Sequence, residues 1–260
     1  MTGAPHLYHV NFSADDLPEG TSIALLSGDP GRSEEIATKH LTDLTVLSRH
    51  RGLDSFAGRL PSGAPVVCAT SGMGAPSMSI VVNELVQAGI RTIIRIGTSG
   101  SIQAHVGVGS VVISSASLCL QGAADDVAPP PFPAAADPFL TVALADSAAE
   151  LGLVHHVGVT ASTDTFFEGQ ERTESSANPH LLRRLQGATA EHRALGVLNY
   201  EMEAGTLFKM GLVYGFAAGC VCGIIAQRTE DERPRLDDKA TAVDRAVQVA
   251  VHTANHWSRR

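Results

Sequence analysis

Short apolar runs that end in glycine alternate along this chain with longer amphipathic stretches, and no other feature constrains the fold as strongly. The candidate strands read SIALLSG, APVVCATSG, TIIRIGTSG, GSVVISSASLCL, HVGVTAST, GVLNYEME and GFAAGCVCGIIA. The candidate helices read SEEIATKHL, APSMSIVVNELVQAG, DPFLTVALADSAAELG, GTLFKMGLVYG and DDKATAVDRAVQVAVHTANHW. Strands that alternate with helices in this way predict an α/β fold.

The chain is predicted to fold as a single domain over residues 1–260. Its 260 residues, of which 44% are hydrophobic, suffice for one large core. The one proline-rich stretch, DDVAPPPFPAAADP at residues 125–138, is the obvious place to look for a linker. Because strand and helix signals of the same style continue on both sides of it, we interpret it as a rigid surface loop.

Charge and residue usage exclude several classes of partner. The formal net charge of -8 at pH 7 argues against nucleic acid, since an acidic surface repels the phosphate backbone. The first residues lack a basic segment followed by an apolar one, and no run of 18 apolar residues occurs, so we expect a cytoplasmic protein without a membrane span. Four cysteines within apolar runs and eleven histidines without metal-ligand spacing predict free thiols and no metal.

Ligands of open α/β sheets bind beyond the carboxyl ends of strands, so the segments that follow the predicted strands are the candidate site. In SGDPGR a strand ends at Gly28, and Arg32 stands at the start of a helix. Backbone N–H groups of the turn, the helix N-terminus and the guanidinium together predict an anion site. The alternative is an ordinary turn with a solvent-exposed arginine.

A second strand, IIRIGTSGS, places Arg95 among apolar residues and Thr98 at its end. A buried arginine needs an anionic partner, because an unpaired buried charge costs several kcal/mol. That partner could be a structural carboxylate. With Gly28 and Arg32 at a second strand end, however, a phosphate shared by Arg32, Arg95 and Thr98 is the better explanation.

The segment TDTFFEGQER brings together Phe166, Gln170 and Arg172. A primary amide has a donor and an acceptor, and a guanidinium adds donors, so with a phenyl ring this set suits a flat heterocycle that carries carbonyl and N–H groups. A solvent-exposed loop with core phenylalanines is the alternative interpretation.

The segment LNYEMEAGTL places Glu201 and Glu203 at the junction between a strand and a helix. Two carboxylates at a helix start can simply complement the helix dipole. If the other loops bind a phosphate and a planar base, however, the remaining part of the ligand is a sugar, whose vicinal hydroxyls donate well to a carboxylate.

Taken together, SGDPGR, RIGTSG, STDTFFEGQER and NYEMEAGTL resemble the nucleoside phosphorylase-I family, specifically its uridine phosphorylases. The resemblance runs from about His9 to the C-terminal helix. It implies a single α/β domain with a central mixed, barrel-like β-sheet flanked by helices. It also implies a homo-oligomer in which dimers share active sites and form a hexamer.

The resemblance assigns roles to residues of three subsites. Phosphate would bind to Gly28, Arg32, Arg51, Arg95 and Thr98. The ribose would contact His9, Glu201, Met202 and Glu203. Uracil would contact Phe166, Gln170, Arg172, Ile225 and Arg228. His9, which would reach the ribose 5′-hydroxyl, and Arg51 would come from the neighbouring subunit. Arg49 is the less favoured alternative to Arg51, because the local spacing permits a slip.

The implied activity is reversible phosphorolysis of uridine to uracil and ribose 1-phosphate, with phosphate as co-substrate and no cofactor. Two departures from the family pattern bear on it. Gly52 stands where the bacterial enzymes have a glutamate that helps to hold potassium, which puts a monovalent cation site in doubt. Ala226 and Gln227 replace an expected bulkier apolar residue and an asparagine, which would widen the base pocket.

Other functions fit the sequence less well. Purine nucleoside phosphorylases use an aspartate that is absent between Cys220 and Glu230, and nucleosidases lack the arginines that correspond to Arg32 and Arg95. The segment CATSGMGAPS has Ser77 in place of the third glycine of a dinucleotide-binding turn. A non-catalytic nucleoside-binding protein would keep the same pocket, and the sequence leaves that alternative open.

Overall fold

Nine strands form one mixed sheet in the computed structural model, which describes residues 5–229 and 236–257. The strands are β1 (Ile23–Ser27), β2 (Thr42–Ser48), β3 (Ser55–Arg59), β4 (Pro65–Thr70), β5 (Thr92–Ser101), β6 (Val111–Leu120), β7 (His155–Thr163), β8 (Asn199–Glu201) and β9 (Ala217–Gln227). All seven predicted strands are present, and β2 and β3 are additional.

Helices cover both faces of this sheet. Those in the described residues are α1 (Pro30–His40), α2 (Ala75–Gln87), α3 (Gly122–Val127), α4 (Pro138–Glu150), α5 (Ala188–Ala194), α6 (Ala204–Tyr214) and α7 (Leu236–Trp257). The five predicted helices are among them, and the short helices α3 and α5 are additional. Aspartate followed by proline begins both α1 and α4, because the Asp29 and Asp137 carboxylates accept free N–H groups of the first turn.

Five of the strands close into a barrel. Strand β5 pairs with β8, β8 with β7, β7 with β6, and β6 with β9, which returns to β5. Strands β1, β4, β3 and β2 extend outward from β5 as an open wing. The described chain therefore forms an α/β domain with a mixed, closed barrel flanked by helices, and the fold class predicted from the family resemblance is confirmed.

The wing and the barrel meet at β5, which changes partners along its length. Residues 92–96 pair in parallel with β1, whereas Gly100 and Ser101 pair antiparallel with Tyr200 and Asn199 of β8. The intervening residues 97–99 pair only with β9 on their other side. This leaves a gap beside β5 at the carboxyl end of β1, which is where α/β sheets bind ligands.

Apolar side chains fill both faces of the sheet. One buried cluster lies beneath α2 and α6 and includes Val10, Phe12 and Phe208. The other lies beneath α1, α4 and α7 and includes Ile36 and Leu140. Because both faces are covered, the central strands are almost continuously apolar, as their sequences required.

The proline-rich stretch is attached to the barrel as a surface loop. Its backbone bonds to β6 through Ser117 N–H to Ala134 O (2.8 Å) and Ala136 N–H to Ser115 O (3.0 Å). Ala134 and Ala136 are buried. This segment packs on the same core as its neighbours, as its interpretation as a loop rather than a linker predicts.

A glycine in β9 allows α7 to approach the barrel, which gives a test of the packing. A Cβ added at Gly223 would lie 2.2 Å from the carbonyl oxygen of Ala242 in α7. We expect Gly223→Ala to destabilise the fold by about 1–3 kcal/mol, because overpacking shifts the helix backbone. Thermal unfolding followed by circular dichroism measures this effect. Gly107→Ala, where no atom lies within 4 Å of the added Cβ, is the matched control and should change little. Equal midpoints for the two variants would contradict this account of the packing.

Candidate active site

A cavity of about 460 Å³ lies in the gap between the wing and the barrel. Eleven of the fourteen predicted site residues line it: Gly28, Arg32, Arg95, Thr98, Phe166, Gln170, Arg172, Glu201, Met202, Glu203 and Ile225. They come from the end of β1 and the start of α1, from β5, from β8 and the turn after it, from β9, and from the loop after β7. The sequence therefore predicted correctly which segments converge.

Arg95 is buried and forms ion pairs with two carboxylates. Its Nε donates to Glu201 Oε2 at 3.1 Å, and its Nη2 donates to Glu203 Oε2. Burial alone would lower the pKa of Arg95, but the Glu203 and Glu201 charges outweigh burial and raise it. Of the two alternatives for the anionic partner of Arg95, the structure contains the structural carboxylate. Gly97 gives the guanidinium room, since a Cβ there would lie 3.0 Å from Nη2.

The Glu201 carboxylate is used entirely by the protein. It accepts hydrogen bonds from the Ser162 hydroxyl, from Arg95 and from the backbone N–H groups of Glu203 and Ala204, both at 2.8 Å. Its side chain has no exposed surface. Glu201 thus ties the start of α6 to β5 and β7, and its buried carboxylate offers no exposed surface to a ligand in the described arrangement.

Glu203 lies at the cavity wall. Its Oε1 accepts the N–H of Gly74 at 2.6 Å, and its Oε2 accepts from Arg95. Burial raises the pKa of Glu203, Arg95 lowers it, and Glu201 raises it, so that the net direction is upward. Glu203 is therefore a carboxylate with fewer protein donors than Glu201 and with access to the cavity.

Arg32 presents an unused buried donor. Its Nη1 donates to Ile96 O at 3.1 Å, whereas its buried Nε has no hydrogen-bond partner among the described residues. Burial lowers the pKa of Arg32, and the nearby charge of Arg95 lowers it further. A bound anion would satisfy the free donor and relieve the repulsion between the two guanidinium groups.

The helix N-terminus that was expected to join this anion site is not free. The Asp29 carboxylate accepts the N–H groups of Gly31 (2.8 Å) and Arg32 (3.4 Å) at the start of α1. This part of the prediction was wrong, because the aspartate of SGDPGR caps the helix itself. Gly28 allows the end of β1 to approach the loop after β4, since a Cβ at that position would lie 3.1 Å from Gly72 O.

A second part of the cavity wall, here called the slot, consists of Phe166, Gln170 and Arg172 and has oriented polar groups. Arg172 Nε donates to Gln170 Oε1 at 3.2 Å, and Gln170 Nε2 donates to Thr163 Oγ1 at 3.3 Å, which fixes the amide orientation. The Arg172 guanidinium lies 4.3 Å from the centre of the Phe166 ring. Phe166 is 42% exposed, so the alternative that it is a core phenylalanine is wrong.

A ring and an arginine extend this slot. Tyr200 lines the cavity, and its hydroxyl bonds to His192 Nδ1 at 2.8 Å. Arg228 lies over the Tyr200 ring at 5.4 Å from its centre. Gly100 leaves room for both arginines, because a Cβ there would lie 3.2 Å from Arg172 Nη2 and 3.4 Å from Arg228 Cδ. Arg228 thus supports the slot from behind without lining the cavity.

His9 and Arg51 do not reach the cavity of their own chain. The His9 ring bonds to Glu84 on α2, and Arg51 is exposed at the turn between β2 and β3 with a left-handed backbone (φ 58°). Arg49 is occupied at the surface by Glu34 and Asp54. In the described part of the chain, Arg51 forms no ion pair, which distinguishes it from Arg49.

Several cavity residues carried no sequence signal. Met73 lines the mouth and is 87% exposed, which is unusual for a large apolar side chain. Tyr200 lies within a strand whose pattern gave no reason to single out a ligand contact, whereas Ala226, which also lines the cavity, had been singled out as a departure from the family pattern. Gly97 and Gly100 could have been found, because glycines inside a strand often mark close approach.

Neither metal ligation nor a membrane span is apparent in the described regions. No three histidine, cysteine, aspartate or glutamate side chains within residues 5–229 and 236–257 are placed to hold a metal ion. The absence of a metal remains a prediction. Among the described helices, none is both long enough and apolar enough to cross a bilayer. The four cysteines are free thiols, as predicted.

Guanidinium groups, carboxylates and an oriented amide converge in one cavity, which is the composition of an enzyme site for a small polar molecule. The chain belongs to the phosphorylase superfamily, whose family model matches residues 22–255. Membership in this superfamily agrees with the family resemblance of the sequence motifs.

Individual relatives cover nearly the whole chain. A uridine phosphorylase from Salmonella typhimurium is 44% identical over 249 residues, which are 95% of this chain and 96% of the relative. A uridine phosphorylase from Thermococcus kodakarensis is 33% identical over 250 residues, or 96% of this chain and 87% of the relative. A DeoD-type purine nucleoside phosphorylase from Listeria welshimeri is 33% identical over 248 residues, or 95% and 98%.

The different surroundings of the two glutamates predict different costs of removing them. We expect Glu201→Ala to lose about 3–5 kcal/mol of stability, because it breaks a buried ion pair and strands the N–H groups at the start of α6. Glu203→Ala should lose less, since water from the cavity can replace its carboxylate. Urea unfolding of both variants measures the difference. An equal loss would contradict the structural role of Glu201.

Proposed function

We propose that this protein catalyses reversible phosphorolysis of uridine to uracil and ribose 1-phosphate. The observation that carries the proposal is that one cavity holds the Arg32–Arg95 pair at one end and the Gln170–Arg172 pair at the other, with Glu203 among its lining residues. Its volume of about 460 Å³ is in the range for small-molecule sites. The uridine phosphorylases among the relatives support the choice of base.

Phosphate binds in the gap beside β5. The free Nε of Arg32 donates to it, and Arg95 contributes Nη1, since its Nε and Nη2 are held by the two carboxylates. Thr98 and Gly28 complete the subsite from adjacent strand ends. Holding the nucleophile next to the anomeric carbon turns a bimolecular step into an effectively unimolecular one.

The ribose is held by Glu203. Its carboxylate accepts the 2′- and 3′-hydroxyls in charge-assisted hydrogen bonds, and Met202 packs against the sugar. Glu201 belongs to the same subsite in an indirect role, because its oxygens orient Arg95 and the N–H of Glu203. Two carboxylates that are tied to an arginine do not act as the acid and nucleophile of a glycosidase.

Uracil lies in the slot at the other end. Phe166, Ile225 and Tyr200 enclose the ring, and Gln170 with Arg172 faces its carbonyl and N–H groups. As the glycosidic bond breaks, negative charge develops on uracil and positive charge develops on the ribose. A well-placed donor such as Arg172 stabilises the leaving base by about 3–4 kcal/mol, and the phosphate dianion stabilises the ribose.

The base slot favours a pyrimidine, although a purine nucleoside phosphorylase is also among the relatives. No acidic side chain lies between Cys220 and Thr229 to protonate a purine. Gln227 donates to Ala104 O at 2.8 Å and is therefore used outside the slot. The hexamer, the cytoplasmic location and the doubtful cation site at Gly52 remain predictions.

The first test is uracil release from uridine with and without phosphate. We expect release only with phosphate, and little or no hypoxanthine from inosine. Glu203→Ala should remain folded and lose most activity, because the sugar is no longer held. Phosphate-independent release, a preference for inosine, or full turnover by Glu203→Ala would each contradict the proposed chemistry.

A second test concerns the arginine from the neighbouring subunit. We expect Arg51→Ala to raise the KM for phosphate and to lower kcat, whereas Arg49→Ala, which loses only surface ion pairs, should change both little. Co-expression of Arg51→Ala with Glu203→Ala should restore activity, because a mixed dimer then contains one complete site. Failure of this complementation would show that Arg51 does not act across a dimer.

A further inference from the structure

A buried carboxylate on α2 is bound entirely to the N-terminal segment. Glu84 is 8% exposed although it lies in the body of a helix. Its oxygens accept the backbone N–H of His9 at 3.0 and 3.2 Å and the N–H of Val10 at 2.8 Å. Oε1 also bonds to His9 Nδ1 at 2.6 Å. One carboxylate therefore fixes both the backbone and the ring of His9.

The segment around His9 has little freedom of its own. Val10 and Phe12 are fully buried in the core beneath α2 and α6. A turn is closed by Asn11 N–H to Leu7 O (2.9 Å) and by Leu7 N–H to Phe12 O (3.0 Å). The backbone is thus held by the core, and the bond to Glu84 removes the remaining rotation of the imidazole.

The bond at Nδ1 leaves the other ring nitrogen available. With Nδ1–H donated to the carboxylate, neutral His9 has an acceptor at Nε2, as in histidines that a carboxylate orients for a second partner. No described group bonds to Nε2, and the side chain is 31% exposed. Nε2 is therefore available to a group that the described residues do not supply.

We propose that Glu84 is a positioning residue that sets selectivity for the 5′-hydroxyl of the nucleoside. Glu84 holds His9 so that Nε2 accepts a hydrogen bond from this hydroxyl in the neighbouring subunit's site. The inference rests on the proposed function and extends it to a residue that no sequence motif singled out. Glu84 touches no substrate and acts only through His9.

The test compares uridine with 5′-deoxyuridine, which lacks only the 5′-hydroxyl. We expect His9→Ala and Glu84→Ala each to lower kcat/KM for uridine about five- to tenfold, the usual effect of one hydrogen bond. Values for 5′-deoxyuridine should hardly change. The double variant should lose no more than either single variant, because both substitutions remove the same contact.

Two further variants separate positioning from folding. Asp16→Ala removes a carboxylate that bonds to Ser13 in the same N-terminal region, and it should leave the uridine to 5′-deoxyuridine ratio unchanged. Glu84→Gln keeps the size of the side chain but supplies one acceptor oxygen instead of two, so its ratio should lie between wild type and Glu84→Ala. If Glu84→Ala does not fold, Glu84→Gln takes its place in the comparison of the two substrates.

The possible results have distinct meanings. If Glu84 variants slow both substrates equally, Glu84 has only a structural role and the inference is overturned. If His9→Ala changes the ratio and neither Glu84 variant does, His9 acts without Glu84, which also overturns it. If the wild-type protein releases no uracil in the presence of phosphate, the proposed function itself fails, and this inference fails with it.

Discussion

The site depends on a buried ion triad in which Arg95 bonds to Glu201 and Glu203. Three charges in the interior are tolerated only when each is paired and its remaining hydrogen-bonding groups are satisfied. Glu201 meets this condition with donors from β5, β7 and the start of α6. Glu203 adds the N-terminus of α2 through Gly74. The elements around the cavity are thereby joined at one arginine.

The triad also determines the electrostatics of the cavity. Burial lowers the pKa of Arg32, the nearby charge of Arg95 lowers it further, and Arg32 Nε has no partner among the described residues. At Glu203 the pKa is raised by burial and by Glu201, although Arg95 opposes this effect. An anion beside the two arginines would offset the repulsion between their charges. Hydroxyl donors beside Glu203 would stabilise its buried carboxylate. A ligand that carries both groups would meet a preorganised partner for each of them.

The parts of the fold that were predictable are those with local patterns. The barrel strands are apolar runs between glycines, whereas β2 has five exposed residues at its start and lacks such a run. Closure of the barrel depends on the pairing of β5 with β9, which are far apart in the sequence, so only the family resemblance supplied it. The position of the cavity was predictable, because the carboxyl ends of parallel strands lie at one edge of the sheet.

The roles of individual carboxylates were harder to predict, because they depend on which donors surround them. Glu201 and Glu203 are two residues apart, yet one is saturated and the other faces the cavity. The start of α1 was predicted to help bind an anion, and Asp29 caps it instead. Glu84 resembles any polar residue on a helix surface until the N-terminal segment folds over it. Such differences arise from tertiary contacts that periodicity does not encode.

Helix α2 connects Glu203, through Gly74, with His9, through Glu84. Gly74, immediately before α2, donates to Glu203 of its own site. Glu84, ten residues later and about 15 Å along the helix axis, bonds to His9, which is proposed to act in the neighbouring subunit's site. An α-helix is too stiff for one of its ends to move independently of the other. In a dimer that shares its sites, α2 would therefore link two sites. A shift of Glu203 when sugar binds would therefore be transmitted along α2 to the adjacent site, so the two sites of a pair would be mechanically coupled.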